Sequence, residues 1–210
     1  MISITERIKA HNIKAPDYCK ISTDFINDNI PAKFHDKELS NFVGFNLLKI
    51  DLDKVLKLEQ SLYIYGTNGS GKTHLSYALK KEIEYYYQLN YKEPELKIII
   101  INDRDFFQEL QADFNLLSGY KSSILKADVV IWEEWGKTKP SVFTSSVLAA
   151  IINRVADNLK PILICNTTIA PGKDGSIIKS RFEDGADIYS RMKDIFKNGF
   201  IEIESEDWRG

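Results

Sequence analysis

Apolar residues follow two alternating rhythms along this chain. Short, mainly apolar runs at 61–65, 96–101, 127–132, 161–165 and 200–203 are separated by longer stretches in which apolar positions recur three or four residues apart. The first rhythm predicts strands, and a nearly continuous apolar run such as 96–101, bounded by Pro94 and Asn102-Asp103, predicts a strand covered on both faces of a parallel sheet. The second predicts helices. One starts at Lys72, with Leu75, Leu79 and Ile83 in phase. Another starts near Arg104, with Phe106, Phe107, Leu110 and Phe114 on its inner side. A third starts at Pro140-Ser141, with Leu148, Ile151, Ile152 and Val155 on one face, and a fourth contains Ile188, Arg191, Met192 and Ile195. Tyr85-Tyr86-Tyr87 reads as a flank of the first helix.

The intervening segments carry weaker patterns. Residues 116–126, with Lys121 and Lys126 among serines, read either as a solvated connection or as a DNA-facing loop, and 169–176, with Pro171, Gly172 and Gly175, as a loop. Ser3 and Glu6 have capping-box spacing for a short helix, and Pro16 and Pro31 interrupt the chain beyond it. The pieces Ile30-Pro31-Ala32-Lys33-Phe34 and Leu39-Ser40-Asn41-Phe42 read as an irregular strap with aromatic anchors. The 1–55 segment is therefore expected to be an extension packed on a main domain at 56–210, because 210 residues provide for one full core.

Composition narrows the class only slightly. With 43% hydrophobic and 28% charged residues, and no apolar run of membrane-spanning length, a soluble globular protein without a membrane role is expected. Cys19 and Cys165 are too few for a disulfide framework, and His11 and His35 are isolated, so a reducing, cytoplasmic setting without a zinc cluster is expected. A net charge of -2 argues against a globally basic nucleic-acid binder and leaves room for a local basic face.

The chemistry is concentrated in two places. Gly66-Thr67-Asn68-Gly69-Ser70-Gly71-Lys72-Thr73 matches the phosphate-loop pattern between a predicted strand and a predicted helix. Glycines let successive N–H groups turn toward phosphate oxygens, and the helix after the loop adds its positive dipole end. Lys72 is then expected on the terminal phosphates of ATP, and the Thr73 hydroxyl on Mg²⁺. Downstream, the strand at 127–132 ends in Glu133-Glu134. Two acids at a strand tip next to such a loop suit a magnesium ligand followed by a residue that polarises the attacking water. Asn166 ends the next predicted strand, where it can reach the terminal phosphate or that water.

Together with Gly71-Lys72-Thr73-His74-Leu75, Asn166-Thr167-Thr168, Ser190-Arg191-Met192 and Glu206-Asp207-Trp208-Arg209, these stretches resemble the DnaC/IstB group of AAA+ ATPases, the helicase loaders and transposition helpers. The resemblance implies a five-stranded parallel sheet in the order 5-1-4-3-2 without a large C-terminal lid. It also implies a magnesium role for Glu133, a catalytic base at Glu134 and a sensor at Asn166. His74 falls in the nucleotide-binding stretch, Arg191 matches an arginine finger acting on a neighbouring subunit, and Arg209 matches the second sensor. The implied activity is slow, assembly-dependent ATP hydrolysis on single-stranded DNA, with a hexameric replicative helicase as partner and a homo-oligomer as the working state. A transposition helper on double-stranded DNA, a nucleotide-gated binding protein and a small-molecule kinase are the alternatives, the last disfavoured by the scattered arginines.

Overall fold

The computed structural model describes residues 30–42, 45, 48–91, 96–158 and 161–204. The expected helix start at Ser3, the interruption at Pro16, His11, Cys19 and the 206–209 ending with Arg209 lie outside the described residues. Five strands, β1 (Leu62–Gly66), β2 (Ile98–Asn102), β3 (Val129–Glu133), β4 (Ile162–Thr167) and β5 (Phe200–Ile203), form one parallel sheet. Its order is β2-β3-β4-β1-β5, which read from the other edge is the expected 5-1-4-3-2.

Register explains why these runs are apolar throughout. Ile131 pairs with Ile164, which pairs with Leu62, and on the next rung Trp132, Cys165 and Tyr63 stand side by side. Successive rungs point to opposite faces, so both residues of each pair must be apolar if both faces are covered. Both are. Tyr63, Val130, Trp132, Leu163 and Cys165 pack with helices α3 (Asp103–Ala112), α5 (Val142–Asn158) and α7 (Gly185–Phe196). Leu62, Ile64, Ile131 and Ile164 pack on the other side with α1 (Leu52–Leu56) and α2 (Lys72–Asn90), where Leu39 and Phe42 of the strap join the same cluster. The strap is also pinned along α2 by hydrogen bonds, with Lys81 Nζ donating to the carbonyls of Phe34 and His35. Phe34 lies 5.1 Å from the ring of Tyr77.

Two expectations change. Residues 116–126 are not a loop but helix α4 (Leu116–Lys126), in which Leu117 and Ile124, seven apart, are buried. Ser and Gly between them dilute the period. Phe114 is not on an inner helix face, because α3 ends at Ala112 and the ring is 59% exposed. A short helix α6 (Ser176–Arg181) begins at the expected end of the loop 169–176.

Candidate nucleotide site

Because all five strands are parallel, the loops after β1, β3 and β4 gather at one end of the sheet, where α/β sheets bind their ligands. The loop after β1 is shaped by two glycines. At Gly66 (φ +153) a Cβ would sit 2.4 Å from the Ile203 carbonyl oxygen, so the loop can leave the sheet beside β5 only without a side chain. Gly71 caps α2 in the left-handed region (φ 92), and a Cβ there would meet the Phe42 ring at 3.0 Å. The strap thus presses on the loop from behind. Lys72 Nζ donates to the carbonyls of Gly66 at 3.1 Å and Thr67 at 2.5 Å and lies 3.4 Å from Ser70 Oγ, and the side chain is buried. His74 faces the strap: its Nε2 lies 3.0 Å from the Glu38 carbonyl, and the Phe42 ring meets it edge-on at 5.1 Å. Burial lowers its pKa, which favours the neutral ring.

The two acids part company at the end of β3. Glu134 takes a left-handed backbone (φ 54), which turns its carboxylate into the cleft beside the phosphate loop, while Glu133 turns to α2, where the Tyr77 hydroxyl donates to it. Desolvation raises the pKa of Glu133, with Glu134 adding to the effect and the Tyr77 hydrogen bond opposing it. Asn166, 2% exposed, links three elements: its Oδ1 accepts from Glu134 N at 3.4 Å, its Nδ2 donates to Ser76 Oγ at 3.2 Å, and its carbonyl accepts from Trp135 N at 3.0 Å. Thr167 Oγ1 adds a bond to the Trp135 carbonyl at 2.8 Å. The Glu134 carboxylate is itself paired, at 2.7 Å with Lys137 Nζ and at 3.6 Å with Arg104 Nε.

The turn that carries Glu134 hangs on Asp103, a residue that the sequence pattern marks only as a strand boundary. Asp103 is fully buried, and its carboxylate accepts from Trp132 Nε1 at 3.1 Å, Gly136 N at 2.9 Å and Thr138 N at 2.8 Å. From the other side, Arg181 places Nε and Nη2 on the Gly136 carbonyl at 3.0 and 2.9 Å. Arg181 is therefore engaged within its own chain. Arg191 lies on α7, does not line the cleft, and makes an open 3.6 Å pair with Asp157. No local spacing rule links Asp103 or Arg181 to residue 136, and that is why the sequence does not point to them.

The cleft of about 380 Å³ is lined by Asn68, Gly69, Gly71, Lys72, Thr73 and His74, by Glu134, Lys137 and Asn166 opposite, and by Lys33 and Phe34 of the strap. Gly66 and Thr67 instead border an adjoining cleft on the β5 side, and Ser70 is buried beneath the loop. The residues fit a nucleoside triphosphate: a loop whose glycines leave no room for side chains, a lysine in its cradle, and two further lysines on the walls. For magnesium, Thr73 lines the cleft and offers a hard oxygen donor, whereas Glu133 does not line it and is turned to Tyr77, so that Glu134 is the carboxylate on the cleft wall. Among the described residues no group of three or more His, Cys, Asp or Glu forms a cage of its own. Such an ion would share its shell with phosphate oxygens, as Mg²⁺ commonly does. No helix among the described residues is long and apolar enough to cross a membrane.

No family model matches the chain. Over 189 residues it is 27% identical to the chromosomal replication initiator protein DnaA of Buchnera aphidicola, a match covering 84% of this chain and 40% of DnaA. The chain thus corresponds to less than half the length of that relative. Its fold is similar to a crystal structure of the DnaC helicase loader, with TM-score 0.61 and 18% identity over 83% of this chain and 100% of the other. It is also similar to the replication initiator DnaA bound to AMPPCP and single-stranded DNA, with TM-score 0.58 and 20% identity over 85% of this chain and 52% of that one. The sheet order and these likenesses give the chain the AAA+ fold.

Proposed function

We propose that this AAA+ chain is an ATPase of DNA replication that assembles on single-stranded DNA and loads or remodels a replicative helicase. The observation that carries the ATPase part is Asn166, which ties the backbone of Glu134 to Ser76 on the helix of the phosphate loop. A polar link of this kind holds a carboxylate at a fixed position relative to bound phosphate.

In this reading Lys72 holds the terminal phosphates, and Thr73, with Glu133 once it leaves Tyr77, would hold a magnesium ion, which would supply positive charge beside the phosphates. Glu134 orients the attacking water, Asn166 positions Glu134, and Arg191 acts on ATP held by the adjacent copy. Arg209, matching the second sensor, belongs to the same assignment. Residues 56–210 form the ATPase domain, and 1–55 an extension whose strap lies on α2. The DNA and helicase partners rest on the likeness to DnaC and to DNA-bound DnaA. The Tyr77 bond on Glu133 favours a second reading, a nucleotide-gated binding protein with little turnover, because it competes with metal for the same carboxylate.

Lys72→Ala is expected to abolish nucleotide binding in a fluorescent-nucleotide titration, since a charged phosphate contact and the cradle geometry are lost together. The reading as a whole is tested by ATP turnover per mole of protein across a dilution series, with and without single-stranded DNA. Specific activity that rises with concentration, and rises further with DNA, supports shared sites on a DNA-bound assembly. Turnover that is flat and indifferent to DNA rules that assembly out. Turnover near zero with intact nucleotide binding favours the gated reading.

A further inference from the structure

Lys137 has no part in the phosphate-loop pattern or the strand-end acids, yet it lines the same cleft as Lys72 and Glu134. Its Nζ sits 2.7 Å from Glu134 Oε1. The pairing is local. Lys137 N donates to the Glu134 carbonyl at 2.9 Å, closing a turn in which Glu134 (φ 54) and Gly136 (φ 68) both adopt positive φ. The Asp103 carboxylate and the Arg181 guanidinium hold that turn from both sides at residue 136. The ammonium is therefore delivered to the carboxylate by a fixed backbone, while its own side chain is 29% exposed and lines the open cleft.

A carboxylate engaged by an ammonium at this distance is a poor acceptor for a water proton. The ammonium stabilises the ionised form, and taking the proton would cost the ion pair. A triphosphate changes the balance, because it brings several negative charges into the cleft, and a lysine there gains more from phosphate oxygens than from a single carboxylate. Arg104 Nε, at 3.6 Å and on a side chain 59% exposed, is the weaker partner and can keep the carboxylate oriented after the lysine departs.

We infer that Lys137 is a γ-phosphate-sensing latch. It pairs with Glu134 at rest, and ATP draws it onto the terminal phosphate, which both strengthens binding and releases the carboxylate to act on water. A diphosphate lacks the group that competes for Lys137 and leaves the latch closed. The inference rests on the reading of this cleft as a nucleotide site.

The test is a double-mutant cycle on affinity rather than on turnover. Fluorescent ATP and ADP are titrated into the wild type, Lys137→Met, Glu134→Gln and the double variant. Lys137→Met should reduce the preference for ATP over ADP by about two- to fivefold, the scale of one partly exposed charge pair. Glu134→Gln should tighten ATP, not ADP, by a similar factor, because the lysine no longer has to leave a carboxylate. In the Lys137→Met background that gain should vanish. The latch is overturned if Glu134→Gln tightens ATP equally in both backgrounds, or if Lys137→Met weakens ATP and ADP alike. If the wild type binds neither nucleotide and Lys72→Ala changes nothing, the nucleotide reading fails and the latch falls with it.

Discussion

Arg191→Ala is expected to cut ATP turnover by about 10³ to 10⁵ while leaving ATP affinity near that of the wild type, the effect of removing an arginine finger. The separation follows from where the residue stands. Arg191 does not line the cleft of its own chain, so removing it deprives the bound nucleotide there of no contact. Its present partner, Asp157, is 3.6 Å away, and both side chains are about half exposed, a pair that holds the guanidinium only weakly. A neighbouring active site can therefore take it. Mixing provides the decisive measurement. Arg191→Ala and Glu134→Gln are each expected to be inactive alone, but a mixed assembly would contain sites that combine Glu134 from one variant with Arg191 from the other. Random mixing in equal amounts should restore activity at about a quarter of the sites, given a head-to-tail interface. Normal hydrolysis by Arg191→Ala alone would sink the assignment.

Asp103→Ala is expected to destabilise the domain by about 3–5 kcal/mol, since each buried donor left without its acceptor costs about 1–3 kcal/mol. Three N–H donors converge on this carboxylate, from Trp132, Gly136 and Thr138, and truncation leaves the first two buried without an acceptor and the third half-buried. A loss of that size is a large share of the roughly 5–15 kcal/mol that stabilises a typical domain. Asp103→Asn should recover only part of it, because an amide turns one N–H toward donors that need an acceptor. Asp105→Ala, two residues on and exposed in the first turn of α3, should cost about 0.5 kcal/mol or less through the helix dipole alone. Urea midpoints with unchanged slopes distinguish these outcomes. Equal midpoints for the residue 103 and residue 105 variants would show that Asp103 is not the support of the Glu134 turn.

The strands, the helix after the phosphate loop, the strand-end acids and the chemistry of the loop are all legible in the residue order. Apolar runs such as 161–165 can be buried on both faces only as interior strands. Gly66, Gly71, Lys72 and Thr73 form a local pattern, set by backbone freedom at the glycines and acting over a few residues, so it leaves a readable spacing. The tip of β3 is different, because its shape depends on long-range packing. Glu133 and Glu134 are adjacent in sequence, yet one turns to Tyr77 and the other into the cleft, because Asp103, 31 residues from Glu134, and Arg181 clamp Gly136 between them. Helix α4 escapes a sequence reading because Leu117 and Ile124 are buried by α3 and α5 rather than marked by any strong local period. Contacts between residues far apart in sequence leave no spacing to read, since each partner is selected by the packing that brings it there.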